Sequence, residues 1–258
     1  MNRLNVTLVQ SHIHWHDIEA NLEHFGSLIL SINRDNDLIV LPEMFTTGFT
    51  MTPAVLSEDM NGKTIVRMKE WSRSTGADVT GSIIVSENGH FFNRLIWVKP
   101  DGSVSYYDKR HLFRMAGEDK IYTRGEADPV IELKGWRIRT GICYDLRFPV
   151  WSRNINSGYD IFVYSANWPA ARQEHWDILL RARAVENQCY VLGVNRTGND
   201  GKGTAYTGGS AVTGFRGETL AHAGTESNVI HAVLERDTLM DYRDTFPVWM
   251  DGDRFTCL

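Results

Sequence analysis

The sequence predicts a mixed α/β fold in which helices cover the faces of β-sheets. Short apolar, β-rich segments alternate along the chain with segments whose apolar residues repeat at helical spacing. Pairs of strands joined by short turns lie between them. The sequence contains no low-complexity segment and no linker rich in Pro, Gly or Ser. We therefore expect one domain over residues 1–258.

The first half of the chain begins with an alternating segment at 3–10, which is typical of a strand. Apolar residues between Ile18 and Ile32 recur at helical spacing and predict a helix over 17–33. The other elements predicted here are a buried strand at 37–42, a helix at 61–75, a strand at 78–85, and a hairpin formed by 90–99 and 102–107.

The second half continues the alternation. Its predicted elements are strands at 136–143, 159–166, 189–195 and 228–234, helices at 147–157 and 172–188, a hairpin across 204–221, and a polar C-terminal tail. Residues 37–41 (DLIVL) resemble residues 160–164 (DIFVY), and each run follows a strand and a helix. An internal duplication and a chance resemblance between buried strands both stay open.

Composition and charge exclude several classes of protein. The chain has 42% hydrophobic and 23% charged residues, as ordinary globular proteins do. Its net charge of -5, without a basic run, gives no basis for binding nucleic acid or an anionic membrane. No apolar run reaches the roughly 18–20 residues that a membrane span needs. The first ten residues fit a strand better than a signal peptide.

The cysteines also indicate the compartment. Cys143, Cys189 and Cys257 are odd in number and too widely spaced for a disulfide framework or a structural zinc site. This usage fits a reducing cytoplasm, which is the location that we expect. Cys189 lies in an apolar segment and is expected to be an inert core thiol. Cys257 is expected to be exposed and without function.

Three reactive side chains lie at the ends of predicted strands. Glu43 and Lys109 each come just after a strand, and Cys143 ends one. Each residue alone has an ordinary explanation. Glu43 could be a carboxylate favoured near a helix N-terminus, Lys109 a solvated lysine, and Cys143 a small core residue. Binding groups in α/β folds concentrate where loops meet at the carboxyl ends of strands.

Together these side chains supply the roles that amide hydrolysis requires. A thiol must lose its proton to attack, and a carboxylate can accept that proton. A nearby ammonium lowers the thiol pKa and stabilises the oxyanion, where one donor is typically worth roughly 3–4 kcal/mol. The protonated carboxylate then serves the departing amine, and later activates water. We predict Cys143 as nucleophile, Glu43 as base and Lys109 as oxyanion cation.

Three blocks of sequence resemble the signatures of the nitrilase, or carbon–nitrogen hydrolase, superfamily. They are LPEMF at 41–45, YDKRHLF at 107–113 and GICYDLRFP at 141–149. The resemblance runs from the first strand to FPVW at 246–249 and so covers essentially the whole chain. It implies a four-layer α-β-β-α sandwich, a homodimer formed through helices beside the active site, and a reaction that uses neither metal nor cofactor.

The resemblance implies the same roles for the three residues and adds two groups. A second glutamate of the superfamily is matched best by Glu118, and its implied role is to orient Lys109 and the substrate. The alternative for Glu118 is a surface carboxylate beside Asp119. The backbone N–H of Tyr144 is implied as the second oxyanion donor.

Within the superfamily, the segments at 143–151, 166–169 and 181–188 look most like bacterial ω-amidases. Those enzymes hydrolyse the terminal amide of 2-oxoglutaramate and 2-oxosuccinamate. Nitrilases usually carry a Trp-Glu pair after the catalytic cysteine, and Tyr144-Asp145 stands here instead, which favours amides over nitriles. The expected partner is a small-molecule amide substrate.

A dicarboxylic monoamide needs a group that holds its distal carboxylate, and the fork of an arginine suits this best. The candidates are Arg114, Arg147 and Arg172. We favour Arg172, which follows the loop at 166–169, and expect Arg147 to be an ion-pair partner instead.

The remaining predicted substrate contacts are aromatic or imidazole side chains. Trp168 and Phe45 are predicted as apolar walls, with packing in the core as the alternative. His111 is predicted to hydrogen-bond near Glu43, and a plain loop role is its alternative.

Other functions also stay open. The chain could be another small-amide or N-carbamoyl hydrolase of the superfamily, a Cys–His hydrolase with His111 as base, or a catalytically silent interaction module. His12, His14 and His16 form an H-x-H-x-H motif that could bind a metal from one face of a strand. Because the segment matches a loop of the superfamily, we predict a polar loop there.

Overall fold

Two six-stranded sheets form the centre of the computed structural model, which describes residues 2–253 and residue 255. In chain order the strands are β1 (Arg3–Gln10), β2 (Leu38–Val40), β3 (Asp78–Glu87), β4 (His90–Val98), β5 (Val104–Asp108), β6 (Val130–Leu133), β7 (Trp136–Ile142), β8 (Ile161–Ser165), β9 (Tyr190–Val194), β10 (Thr197–Asn199), β11 (Ala205–Thr207), β12 (Ala211–Thr213), β13 (Thr219–His222) and β14 (Asn228–Glu235).

The first sheet has the order β14-β1-β2-β3-β4-β5, and the second has the order β13-β12-β9-β8-β7-β6. Strands β1, β2 and β3 are parallel, as are β7, β8 and β9, and antiparallel strands flank both trios. The carboxyl ends of the parallel strands therefore gather the loops that follow them at one edge of each sheet.

The runs at 37–41 and 160–164 occupy equivalent places, at the middle strands β2 and β8. Asp37 accepts from the backbone N–H of Asn5 at 2.7 Å, and Asp160 accepts from that of Arg137 at 3.1 Å. Each aspartate thus ties the start of its strand to the preceding parallel strand, which explains why the same pattern appears twice in the sequence.

Helices cover the outer face of each sheet. They are α1 (Ile18–Leu30) and α2 (Lys63–Thr75) on the first sheet and α3 (Gln173–Asn187) on the second. A fourth helix, α4 (Arg236–Thr245), packs through Leu239 on the core between the sheets. Phe25 of α1 and Trp71 of α2 pack on the first sheet, and Trp176 and Leu180 of α3 pack on the second. The longest helix in the described part of the chain has 15 residues, and no helix there could span a bilayer.

The largest core lies between the two sheets. Strands β1 and β2 contribute side chains such as Leu8 and Val40, and β8 and β9 contribute Val163 and Leu192. All four are fully buried. With helices outside and sheets inside, the layers run α-β-β-α, so the predicted four-layer sandwich is confirmed.

Several predicted elements are wrong. The segment predicted as a helix at 147–157 contains only the last residue of one 3-10 turn, Cys143–Arg147, and the whole of another, Ile155–Ser157. Proline restricts the residue before it to extended backbone, and Phe148, which precedes Pro149, has ψ 89°. This ends the first turn before a helix can form.

Two further differences lie near the C-terminus. Strand β11 pairs with β10, the strand that precedes it in the chain. The hairpin predicted across 204–221 therefore consists only of β12 and β13. Gly208 and Gly209 both have positive φ and turn the chain between β11 and β12. The predicted polar tail contains α4, whose Leu239 is buried in the core between the sheets.

Candidate active site

A lysine held between two glutamates lies at the edge where the loops after β2 and β5 meet. Lys109 Nζ is 2.9 Å from Glu43 Oε1 and 3.0 Å from Glu118 Oε2. All three side chains are at most 1% exposed. Burying charges costs free energy unless they are paired, so the three side chains depend on one another for their buried positions. Glu118 is therefore not the surface carboxylate that the sequence left open.

Glu43 is fixed by a donor to each carboxylate oxygen. Besides Lys109, the side-chain amide of Asn93 donates to Oε1 at 2.8 Å, and the backbone N–H of Asn167 donates to Oε2 at 2.8 Å. Asn167 also donates its side-chain amide to the backbone carbonyl of Glu43. Asn93 on β4 and Asn167 in the loop after β8 therefore fix the orientation of the Glu43 carboxylate.

Asn93 is a site residue that the sequence analysis missed. Its side-chain amide donates to Glu43 and, at 3.2 Å, to Glu118. Its carbonyl oxygen accepts from the Ser82 hydroxyl at 2.9 Å, and that hydroxyl accepts from the Met44 backbone N–H at 2.8 Å. An asparagine in an apolar strand was the available signal, because a buried polar side chain needs partners.

The charges of the cluster support one another. Burial disfavours the charge of Lys109, but Glu118 and Glu43 outweigh this effect and hold the pKa of Lys109 above its ordinary value. Burial also raises the pKa of Glu118, and Lys109 opposes that rise. Glu118 further accepts from the backbone N–H of Phe113 at 2.5 Å. Lys109 is thus a fixed cation at the wall of the adjacent cavity.

Cys143 follows β7 at the start of a tight 3-10 turn. Its φ of 45° is uncommon for a residue with a side chain. The side chain of Asp145 accepts from the backbone N–H of Ile142 at 2.9 Å and stabilises this turn. The Cys143 Sγ lies 3.7 Å from the carbonyl oxygen of Asn167 and interacts with Glu43.

Lys109 lowers the thiol pKa as expected, but it does not set the net direction of the shift. Burial raises the pKa of Cys143 well above its ordinary value, and Glu43 raises it further, while Lys109 only partly offsets both. The resting group is therefore a neutral thiol. A thiolate forms when the proton moves to an acceptor, and Glu43 is the carboxylate with the largest electrostatic effect on the thiol.

His111 lies elsewhere than predicted. Its Nδ1 is 2.7 Å from Asp145 Oδ1, and its backbone N–H donates to the same oxygen at 2.9 Å. Its ring stacks on Phe148 with centroids 3.8 Å apart. Tyr107 donates its hydroxyl to the other Asp145 oxygen at 2.9 Å. His111 thus joins the segment of Lys109 to the turn of Cys143 and does not bond to Glu43.

A cavity of about 340 Å³ opens beside the cluster. Cys143 and Lys109 reach its wall, while Glu43 and Glu118 are fully buried behind them. The other lining residues are mainly aromatic or positively charged: Phe49, Phe113, Tyr144, Trp168, Tyr206, Arg147, Arg172 and Lys202. The volume suits a small molecule with an anionic group.

Two of the three candidate arginines line this cavity. Arg147 lies over the Trp168 ring at 4.7 Å, and Arg172 lies over the Phe113 ring at 5.5 Å. Neither forms an ion pair with a carboxylate in the described part of the chain. Arg147 is thus not the ion-pair partner that we expected. Arg114 is a surface residue, 3.5 Å from Asp119.

The remaining predicted residues divide between cavity and core. Tyr144 and Trp168 line the cavity. Phe45 does not, because it is fully buried between Phe25 and Trp71. Cys189 is a buried free thiol. The prediction for Cys257 falls outside the described residues.

Comparison with known proteins identifies the family. The model of the carbon-nitrogen hydrolase family matches residues 5–244. This chain belongs to the carbon–nitrogen hydrolase family. Its cavity and its strained cysteine are thus those of a hydrolase acting on amide C–N bonds.

Several relatives of this carbon–nitrogen hydrolase are similar over the full length. It is 47% identical to the omega-amidase YafV of Yersinia enterocolitica, with 100% of both chains covered. It is 30% identical to the 2-oxoglutaramate amidase of Bacillus subtilis, with 95% of this chain and 96% of that protein covered. A crystal structure of a superfamily protein from Xanthomonas campestris, with an arsenic adduct in its active site, matches with 40% identity, a TM-score of 0.98 and full coverage of both chains.

Proposed function

We propose that this hydrolase is an ω-amidase that cleaves the terminal amide of small 2-oxo dicarboxylic monoamides, such as 2-oxoglutaramate and 2-oxosuccinamate. The observation that carries the proposal is one cavity lined both by Cys143 and Lys109 and by Arg147 and Arg172, two arginines without carboxylate partners in the described part of the chain. The full-length similarity to the omega-amidase YafV and to 2-oxoglutaramate amidase supports the same substrate class.

In the proposed reaction the Cys143 proton moves to Glu43 as the sulfur attacks the amide carbon. Lys109 and the backbone N–H of Tyr144 stabilise the oxyanion of the tetrahedral intermediate. The intermediate collapses when Glu43 returns the proton to the departing nitrogen, which leaves as ammonia. Water then attacks the thioester with Glu43 as base, releasing the carboxylate and restoring the thiol.

The glutamates beside Lys109 explain why it remains available as a cation in this reaction. Glu118 and Glu43 keep it protonated throughout, so it stabilises the oxyanion without donating its proton away. Glu118 and Asn93 position the ammonium and the base, respectively. We propose that they act through these two groups rather than on the substrate.

We assign the distal carboxylate of the substrate to Arg172 and Arg147, which line the cavity. A guanidinium can bind a carboxylate through two parallel hydrogen bonds. Arg172 and Arg147 both offer that fork, and the aromatic rings of Phe113 and Trp168 beneath them hold the guanidinium planes. Tyr144 and Trp168 then form the walls along the carbon chain.

The alternative mechanism with His111 as base is less well supported. The Nδ1 of His111 faces the buried Asp145, and its ring is covered by Phe148. A catalytically silent module would not need a lysine buried between two glutamates behind a strained cysteine. An N-carbamoyl amino acid also carries a carboxylate that Arg147 and Arg172 would recognise, so N-carbamoyl-β-alanine belongs in the substrate panel.

Ammonia release tests the substrate class. We expect turnover of 2-oxoglutaramate and 2-oxosuccinamate, and little of glutamine, N-carbamoyl-β-alanine or a simple nitrile. Loss of a hydrogen bond to a charged group costs about 1.5–3 kcal/mol, so Arg172→Met should lower kcat/KM for 2-oxoglutaramate by roughly 10- to 150-fold, mainly through KM. Arg114→Met is the surface control. Preferred turnover of the nitrile or the carbamoyl compound would overturn the assignment.

We also propose a cytoplasmic homodimer. Apolar side chains stay exposed on α3 and on the segments beside it, with Val185 49%, Phe246 54% and Met250 67% exposed. Gln188, the residue after α3, donates to the carbonyl oxygen of Phe246 at 2.8 Å, so these side chains belong to neighbouring parts of the surface. The cytoplasm is supported by two free cysteines in the described part of the chain.

A further inference from the structure

Three histidines that the proposed reaction does not use lie together. His12 and His14 are in the loop after β1, and His24 is on α1. One ring nitrogen from each lies within 4.8 Å of the others. The H-x-H-x-H motif suggested His16 as the third member, but its φ of 58° turns it away, and its Nε2 lies 2.9 Å from the Thr50 hydroxyl.

The spacing of the nitrogens suits a tetrahedral metal ion. Zinc–nitrogen bonds of 2.0–2.1 Å place neighbouring nitrogens about 3.3 Å apart in a tetrahedron. His12 Nε2 and His14 Nε2 are already 3.2 Å apart. The ring centroids of His12 and His24 are 4.3 Å apart. Because His14 is exposed, rotation of its side chain can complete the site without a change in the backbone.

The backbone that carries the histidines is held firmly. The buried Asn21 accepts from the His14 backbone N–H at 2.8 Å and donates to the His14 carbonyl oxygen at 2.7 Å. The Nε2 of His24 lies 2.7 Å from the Ser11 hydroxyl, which leaves Nδ1 to face an ion. A hydrogen bond on the second ring nitrogen is the usual way in which proteins orient a metal-binding histidine.

The electrostatic surroundings keep two of the imidazoles neutral. Burial and, to a smaller extent, the neighbouring His12 and His14 together lower the pKa of His24 to about 4. Burial, His14 and Arg196 lower the pKa of His12 in the same way. A neutral imidazole has the lone pair that a metal needs. Since Arg196 also repels a cation, we expect weaker affinity than at structural zinc sites.

We propose that His12, His14 and His24 form a binding site for a divalent ion of the late transition series, such as Zn²⁺, with water completing the coordination. Three imidazoles and no carboxylate favour zinc, copper or nickel over magnesium or calcium. This site goes beyond the proposed amide hydrolysis and corrects our expectation of a plain polar loop.

An ion at this site would also fasten one wall of the cavity. His12 forms a β-bridge with Thr197, the first residue of β10, and the Thr197 backbone N–H donates to the Ser11 carbonyl oxygen at 3.0 Å. The turn between β10 and β11 carries Asp200 and Lys202, which line the cavity. The bound ion would therefore stiffen the base of that hairpin.

Calorimetric titration with ZnCl2 tests the proposal. The full chain is prepared without a polyhistidine tag and with Cys143→Ser, so that the active-site thiol does not bind zinc. We expect one equivalent of Zn²⁺ to bind. Even changes around metal ligands weaken affinity about 10- to 100-fold, so His14→Ala and His12→Ala, each added separately, should each weaken binding by at least about tenfold. His16→Ala is the matched control and should change the Kd less than about twofold.

The outcomes are distinguishable. Absence of stoichiometric binding to the Cys143→Ser protein would overturn the site, as would unchanged affinity in the His14→Ala variant. Equal weakening by His16→Ala would show diffuse surface binding and would also overturn it. Because His14 is exposed, its substitution should leave the metal-free Tm unchanged, which guards against a folding artefact. We expect Zn²⁺ to slow hydrogen exchange at the Thr197 amide. Unchanged exchange would show that the ion does not stabilise the β10–β11 hairpin.

Discussion

The protonation state of Cys143 decides how the reaction begins. Burial and Glu43 together raise the pKa of the thiol, which favours the unreactive, protonated form of the proposed nucleophile in the free enzyme. The carboxylate proposed to remove the proton thus also disfavours the thiolate in the resting enzyme. Glu43 thus has two effects, one on the thiol pKa and one on the proposed proton transfer. An activity assay alone would not distinguish them.

The variant Glu43→Gln should move these two effects in opposite directions. Without the negative charge, the pKa of Cys143 falls, so the pH midpoint of its alkylation by iodoacetamide should shift down. Without the base, amide hydrolysis should drop by about 10²–10⁴-fold. Alkylation is followed by mass spectrometry of the Cys143 peptide, with Glu132→Gln as the exposed control. An unchanged or higher midpoint would contradict the assigned electrostatics.

At the scale of elements, β3 holds the segment that carries Glu43. The Leu41 backbone N–H donates to the Thr80 carbonyl oxygen at 2.7 Å, and the Phe45 backbone N–H donates to the Ser82 carbonyl oxygen at 3.1 Å. Between these bonds lies Gly81, where an added Cβ would come within 2.7 Å of the Leu41 Cβ. Only a residue without a side chain lets the two segments approach this closely.

Gly81→Ala should therefore push the Glu43 segment away from β3. Overpacking of this kind costs about 1–3 kcal/mol, and we expect a matching fall in the free energy of urea unfolding. Ammonia release should fall as well, because the base loses its alignment. Ser105→Ala, at an exposed position of β5 in the same sheet, is the control. Unfolding energy and activity both equal to those of the unmodified protein would disprove the close-approach argument.

Sequence patterns predicted the elements that have strong periodicity or strong turn residues. Strand β1 and helices α2 and α3 fall within two residues of their expected bounds. Helix α4 was missed because the sequence shows a polar stretch, whereas the buried contacts of Leu239 and Arg243 come from distant parts of the chain. Local sequence carries no information on such partners.

The residues of the site also divide into those that the sequence could identify and those that it could not. Glu43, Lys109 and Cys143 could be selected because each stands at a strand end. Asn93 could not, since its partners are brought together only by folding. Phe45 and His111 were misplaced for a related reason, because position in a signature block does not tell which way a side chain points.

At the scale of the whole molecule, α4 ties the C-terminal part to the second sheet through a buried ion pair. Arg243 Nη1 donates to Asp160 Oδ1 at 2.8 Å, and both side chains are at most 4% exposed. The guanidinium also donates to the carbonyl oxygens of Gln188 and Tyr159. Removing one partner of a buried pair leaves an uncompensated charge.

Arg243→Met should lower the free energy of unfolding by up to about 3 kcal/mol. Arg137 also pairs with Asp160 and limits the loss. Burial raises the pKa of Asp160, but Arg137 and Arg243 outweigh this and set it below its ordinary value. That stability is present above the ordinary aspartate pKa and is lost as the pH falls through the lowered one. The variant should therefore show a smaller acid dependence in urea titrations, and an identical dependence would contradict the pairing.

The proposed homodimer is tested by light scattering coupled to gel filtration. A charge placed in an apolar interface is left without a partner, so Val185→Glu should shift the mass from dimer to monomer. Val55→Glu is the control, because Val55 is 83% exposed and lies far from α3 in the sequence. A monomeric unmodified protein, or a Val185→Glu variant that stays dimeric, would reject the α3 surface as the interface.

The pairing of β1 with β14 has a consequence for biosynthesis. Residues 3–10 leave the ribosome long before their antiparallel partner at 228–235 is translated. Until then the nascent chain carries an apolar strand with one open edge, which is the kind of template that invites intermolecular pairing. A ribosome that stalls before Asn228 would release a polypeptide with that edge permanently unpaired. Such products should depend on chaperones or proteases for their removal.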